Sequence, residues 1–223
     1  KNALGKTILK TFYTTTVTKD DMFAPEDVSK KVEQVRINDP YYLTSKTVVL
    51  GSLITKGEQI YLDRTHAEWK QALQLLIDQM NHTLTTSGAT KIMLRDFFGK
   101  QDIELETAML ELGFTNLQLP NNCVIDNLTW NTTEDFLQKL GQKYRYNVRK
   151  EILKYENRFI VNYDKPETDE SRKKLYRLYE AVFYKAFSFN VFKLPYNFFE
   201  AMALDPNYDF IRLYLKPEYN ESN

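Results

Sequence analysis

What most limits the folds open to this chain is the order of its hydrophobic patterns between residues 47 and 128. Thr47-Val48-Val49-Leu50-Gly51-Ser52-Leu53-Ile54 is β-branched and largely apolar, as a buried strand is. Lys56-Gly57 reads as a turn, and Gln59-Ile60-Tyr61-Leu62 as the returning arm of a hairpin. Thr65-His66-Ala67-Glu68 is then a capping box, its hydroxyl and carboxylate each satisfying a free N–H of a first helical turn. The helix it opens places Trp69, Leu73, Leu76, Ile77 and Met80 on one face and stops near Ser87-Gly88. Lys91-Ile92-Met93-Leu94-Arg95 reads as a short strand, residues 103–112 as a helix closed by Gly113, and residues 117–119 and 123–128 as strand. Strand, strand, long helix, strand, helix, strand predicts an α/β (α+β) domain, a mixed sheet flanked by helices, over residues 46–129.

Residues 1–45 carry a weaker pattern and are set apart as an N-terminal arm. Residues 7–18 suit a strand or an extended arm, and Asp20-Asp21-Met22-Phe23-Ala24-Pro25 suits a turn. Residues 25–35 suit a short helix, with Pro25 in its first turn and Val28, Val32 and Val35 at helical spacing. Lys+Arg and Asp+Glu are 30 each, so no global charge attracts nucleic acid or an anionic membrane, and a basic site must be local. No apolar run reaches the length of a membrane span, and the first residues lack a signal peptide's apolar core. A start on Lys1 predicts a chain processed, truncated or cut from a longer one. Cys123 stands alone, which excludes an internal disulfide or multi-thiolate site and fits a reducing, cytoplasmic setting.

A second unit begins near Trp130 and occupies residues 130–223. Thr132-Thr133-Glu134-Asp135 opens a helix expected to run through residues 133–158. Wound as one helix, Tyr144, Val148, Ile152 and Tyr155 share a buried stripe, with Arg145 and Arg149 on its flank. Neither arginine has an acidic residue three or four places away, so each needs a carboxylate from another segment or an anionic ligand. Lys143, Arg145, Tyr146, Arg149 and Lys150 form the candidate substrate-binding surface under the second alternative. Residues 158–163 read as strand, 170–187 and 195–204 as aromatic-rich helices, and 209–215 as strand.

Two stretches resemble a known family. Ala108-Met109-Leu110-Glu111-Leu112-Gly113-Phe114 resembles the helix-end signature of GNAT acyltransferases, and the element order over residues 47–128 is similar to a GNAT core. Residues 136–150, with Arg145, Asn147 and Arg149 in place, resemble a helix of the Fem-type and related tandem-GNAT acyltransferases. The resemblance implies transfer of an acyl or aminoacyl group to an amine acceptor, phosphate-bearing or not. It implies acyl-CoA or aminoacyl-tRNA as donor substrate, with tRNA as a partner in the latter case. It also places the Arg145/Arg149 helix near a cleft. Where active GNAT domains carry a glycine-rich pyrophosphate loop, this chain has Asp63-Arg64-Thr65-His66-Ala67-Glu68, with no glycine. The first unit is thus expected to be a degenerate, non-catalytic copy, and the resemblance implies that residues 130–223 are the start of a second, incomplete GNAT-like unit. The competing reading is a non-enzymatic recognition domain for an anionic ligand or partner, with direct RNA binding a third.

Other chemistry is sparse. His66 and His82 are placed on one helix, several turns apart, and cannot share a metal. No nucleophile elbow, P-loop or dinucleotide glycine cluster occurs, and the catalytic residues stay unassigned. Arg95-Asp96 at a strand end suits an ion pair or cap, or alternatively a cleft. Asp102, Glu104 and Glu106 suit a helix first turn, and Arg172-Lys173-Lys174 a solvated face.

Overall fold

The computed structural model of the 223-residue chain describes residues 1, 4–55, 57–97, 102–118, 128–186 and 189–220. It divides into two compact units, residues 1–119 with 182–193 and residues 120–181 with 194–223. Seven α-helices and small mixed sheets make up the described residues, a mixed α/β protein.

The first unit runs β1 (Leu9–Thr11), β2 (Tyr13–Lys19), α1 (Glu26–Arg36), β3 (Thr44–Leu50), β4 (Ile60–Leu62), α2 (Trp69–Ser87), β5 (Lys91–Met93) and α3 (Ile103–Glu111). Its main sheet has the order β2-β3-β5, antiparallel between β2 and β3 and parallel between β3 and β5. β3 is central, and Thr47, Val48, Val49 and Leu50 are fully buried, so both of its faces are covered. Val48 and Leu50 point toward Ile77, Met80 and Ala89 in one core cluster. Ile8, Trp69, Leu73 and Ala108 form a second, so α2 carries one stripe at helical spacing into both.

Several expectations change here. The arm of residues 1–45 is no arm: it supplies β1, β2 and α1 to the first unit. β4 does not return as a hairpin beside β3. It pairs antiparallel with β1, while β3 pairs with β2 (Thr11 opposite Ile60, Tyr13 opposite Leu50). Two interrupted strands thus lie side by side, and residues 51–59 leave the ladder as an excursion. Gly51 makes the exit with φ +71, and Gln59 folds beneath it, accepting from Ser52 N at 2.7 Å and donating to the carbonyls of Ser52 and Thr55. The capping box at Thr65 does not form either. Its hydroxyl donates to Asp63 Oδ1 at 2.6 Å, and α2 starts three residues past the expected turn, leaving His66 outside the helix. On α1 the buried residues are Ser29, Val32 and Arg36, whereas Val28 and Val35 are exposed.

Other signals hold. Gly88 and Gly113 end α2 and α3 in the left-handed region, and Phe114 N closes back on Met109 O at 3.0 Å. Asp102 caps α3 by accepting from Leu105 N, with Glu104 and Glu106 in the first turn. The strand expected over residues 117–119 is absent at Leu117 and Gln118; of the one at 123–128, only Leu128 is described and it is not in a strand, the rest lying outside the described residues.

The second unit runs α4 (Thr133–Lys139), α5 (Gln142–Glu151), a 3₁₀ turn (Leu153–Arg158), β6 (Phe159–Asn162), α6 (Asp169–Phe183), α7 (Tyr196–Leu204) and β7 (Arg212–Leu215). β6 and β7 pair antiparallel. The Thr132 capping box forms, with Asp135 as its acidic partner. The single helix over 133–158 does not. Leu140 and Gly141 take extended backbone (ψ 144 and 153), so the chain restarts as α5. With that break the apolar stripe is lost: Tyr144 is 67% and Ile152 61% exposed. Tyr176, Tyr179 and Phe199 pack ring against ring, and the two tyrosine hydroxyls clamp the backbone of Leu194.

Candidate functional site

Parallel strands joined by a crossover helix collect chain reversals, and therefore ligands, beyond their carboxyl ends. β3 and β5, joined through β4 and α2, are such a pair. β3 runs out into Gly51-Ser52, and β5 into Leu94-Arg95-Asp96. Arg95 reaches across between them, its Nη1 at 3.5 Å from the Ser52 carbonyl oxygen. Asp96 holds a left-handed backbone (φ +61), uncommon for a residue with a side chain. That conformation turns the carboxylate inward, where only 6% of the side chain is exposed. Its Oδ2 lies 3.0 Å from Arg95 Nη2 yet out of line with any N–H, and it accepts no hydrogen bond among the described residues. A buried carboxylate oxygen with a charge partner and a free lone pair can accept an N–H or a proton. Of the two alternatives for Arg95-Asp96, the ion pair is present.

The basic helix residues occupy α5. Arg145 donates from Nε to Leu137 O and from Nη2 to Leu140 O, both at 3.1 Å, and so closes the carboxyl end of α4. Arg149 Nη2 lies 2.9 Å from both oxygens of Glu134, in an exposed pair. The expected carboxylate from another segment is present for Arg149, in Glu134 of α4, whereas Arg145 is satisfied by two backbone carbonyls instead. Lys143 and Tyr146 are exposed, and Lys150 reaches the Tyr146 ring and Glu151. Arg172 bonds the carbonyls of Pro166 and Glu167, and Lys173 pairs with Asp169, so that basic triplet is only partly a solvated face.

A third constellation went unread in the sequence. Lys19, Asp21, Arg36 and Asn190 are buried, with Glu33 half-buried among them. Arg36 pairs with Asp21 and Glu33 and donates to the carbonyls of Tyr42 and Leu43. Burial alone would push the Asp21 and Glu33 carboxyls up. Donors outweigh it, Arg36 and Asn190 at Asp21, and Lys19, Asn190 and Arg36 at Glu33, and both sit below their ordinary values. The readable signal was the polar stripe Ser29, Glu33, Arg36 on α1; nothing in sequence points to Asn190.

Among the described residues no group of three or more His, Cys, Asp and Glu side chains could hold a metal, and no helix is long and apolar enough to cross a membrane. No family model matches the chain, and comparison with curated proteins and with solved structures gave no match.

Proposed function

We propose that the chain is an acyltransferase module of tandem-GNAT type, moving an acyl or aminoacyl group onto an amine beyond the carboxyl ends of β3 and β5. The observation that supports it is the Asp96 carboxylate, buried, charge-paired and with one oxygen free to accept. In this reading Asp96 accepts a hydrogen bond from an N–H of the acceptor amine and holds it for attack, while Arg95 orients the carboxylate. The donor is acyl-CoA or aminoacyl-tRNA, which makes the setting cytoplasmic. β6, α6, α7 and β7 are read as the opening of a second copy of the scaffold. The exposed Lys143, Tyr146 and Lys150, with Arg145 and Arg149, are its surface for a phosphate-bearing substrate.

The test is amine acylation by the full chain with acetyl-CoA and with aminoacyl-tRNA. Asp96→Asn is expected to lower the rate by about 100-fold or more in protein that remains folded at the assay temperature. Turnover from neither donor, or full activity in the variant, sinks the reading. The exposed cations of α5 favour a second: a recognition domain that binds anionic ligands without turnover. Salt-sensitive binding of a phosphorylated ligand, lost on Lys143→Ala with Lys150→Ala and unaccompanied by acyl transfer, would establish that one instead.

A further inference from the structure

The buried cluster of the first unit has the form of a receptor with an occupant. Its frame is complete within residues 19–43. Lys19 Nζ lies 2.8 Å from Glu33 Oε1, Arg36 Nη2 lies 2.6 Å from Asp21 Oδ1, and Arg36 Nη1 closes on Glu33. Arg36 is itself fixed by the carbonyls of Tyr42 and Leu43 at 2.9 Å each, and the Ser29 hydroxyl donates to the Asp21 carbonyl. Two cations and two carboxylates therefore hold one another in place before any residue from elsewhere arrives.

The occupant is Asn190, more than 150 residues away in sequence. Its Nδ2 donates to Asp21 Oδ2 at 2.8 Å and to Glu33 Oε1 at 2.9 Å, and its Oδ1 accepts from Lys19 Nζ at 3.0 Å. The amide cannot be reversed, because carboxylates only accept and an ammonium only donates. All three contacts are charge-assisted. The strap that carries it, residues 189–193, has no helix or strand. Asn190 also ties its own N–H to Met22 O at 3.0 Å, while Phe189 meets the ring of Phe23 and Phe192 lies over the Lys19 ammonium.

We propose that Lys19, Asp21 and Glu33 form a binding site for a primary carboxamide, filled in cis by Asn190, and that the strap lifts locally to let an external carboxamide replace it. The chemistry is specific to that group: one oxygen facing an ammonium and one NH₂ facing two carboxylates. A carboxylic acid would bring a third negative charge against Asp21 and Glu33, and a ketone would not replace the N–H that each accepts from the amide. The assignment does not depend on the acyl-transfer reading.

The test is hydrogen exchange and thermal melting of the full chain, with acetamide as probe and acetate as its isosteric control. In the unsubstituted protein, acetamide should speed exchange of the 189–193 amides while leaving β3 and α2 protected. In Asn190→Ala, strap exchange should rise by at least about tenfold, as losing a charge-assisted contact predicts. Acetamide should then raise that variant's melting temperature, and acetate should not. Equal effects of acetamide and acetate overturn the site. So does a strap that exchanges only together with β3. If Asn190→Ala does not fold, the unsubstituted protein decides, since a strap indifferent to acetamide there also overturns it.

Discussion

Arg36 shows what one interior guanidinium demands of its surroundings. Two carboxylates and two carbonyl oxygens converge on it, and its side chain is only 4% exposed. Arg36→Met would fill the space but strand Asp21, whose side chain is 2% exposed, with its charge unpaired. The expected loss is about 3–5 kcal/mol, read from the urea midpoint of the first unit. Acid should act on the same residues. Asp21 and Glu33 have folded pKa values below their ordinary ones, so the stability they contribute is fully present above the unfolded values of about 4 and disappears as the pH falls through the lower folded values. Melting temperature should therefore hold level above about pH 5 and drop below about pH 4, and less steeply in Asp21→Asn. Gly51 is constrained differently. A Cβ there would sit 1.9 Å from Gln59 Oε1, on a backbone with φ +71. Gly51→Ala should cost about 1–3 kcal/mol and loosen exchange at Ser52, whose N–H that oxygen accepts.

At the scale of elements, the α4–α5 junction separates the two arginines by role. Arg145 satisfies two carbonyls left by the end of α4, so Arg145→Ala should destabilise the second unit by about 1–2 kcal/mol. The Arg149–Glu134 pair is half-exposed, and Arg149→Ala should stay within about 0.5 kcal/mol by the same denaturation measurement. This junction also shows why parts of the fold were legible and others not. The stripe of α2, the Gly88 and Gly113 caps and the Thr132 box depend on neighbours within a turn or two, and sequence spacing carries that information. The breaks at Leu140 and at Gly51 depend on side chains bonding to backbone, Arg145 reaching back and Gln59 folding under, which apolar periodicity does not encode. The partner of β4 was likewise set by β1, almost fifty residues earlier, rather than by the turn beside it. The site followed the same division. Arg95-Asp96 was visible as a strand-end pair, but its burial required the left-handed turn at Asp96. The receptor for Asn190 was hidden because a valine repeat on α1 suggested the wrong inward face.

Across the whole molecule the two units differ in how much they bury. The first unit contains Val48, Val49, Leu50, Leu73 and Met80, each fully buried, whereas in the second the buried apolar residues among those described are Leu137, Pro166 and Ala203. Exchange in rising urea should therefore release the amides of α5, β6 and β7 well before those of β3 and α2, giving two transitions rather than one. The excursion of residues 51–59 has one more consequence. Because β1 and β2 grip the strand on both sides of it, its peptide bonds are not what keeps the two arms together. A protease that nicks the exposed Ile54-Thr55 stretch should leave both fragments associated on a sizing column, separable only in denaturant. The same spot should accept a foreign peptide of many residues, offering a place to graft a reporter without disturbing the sheet.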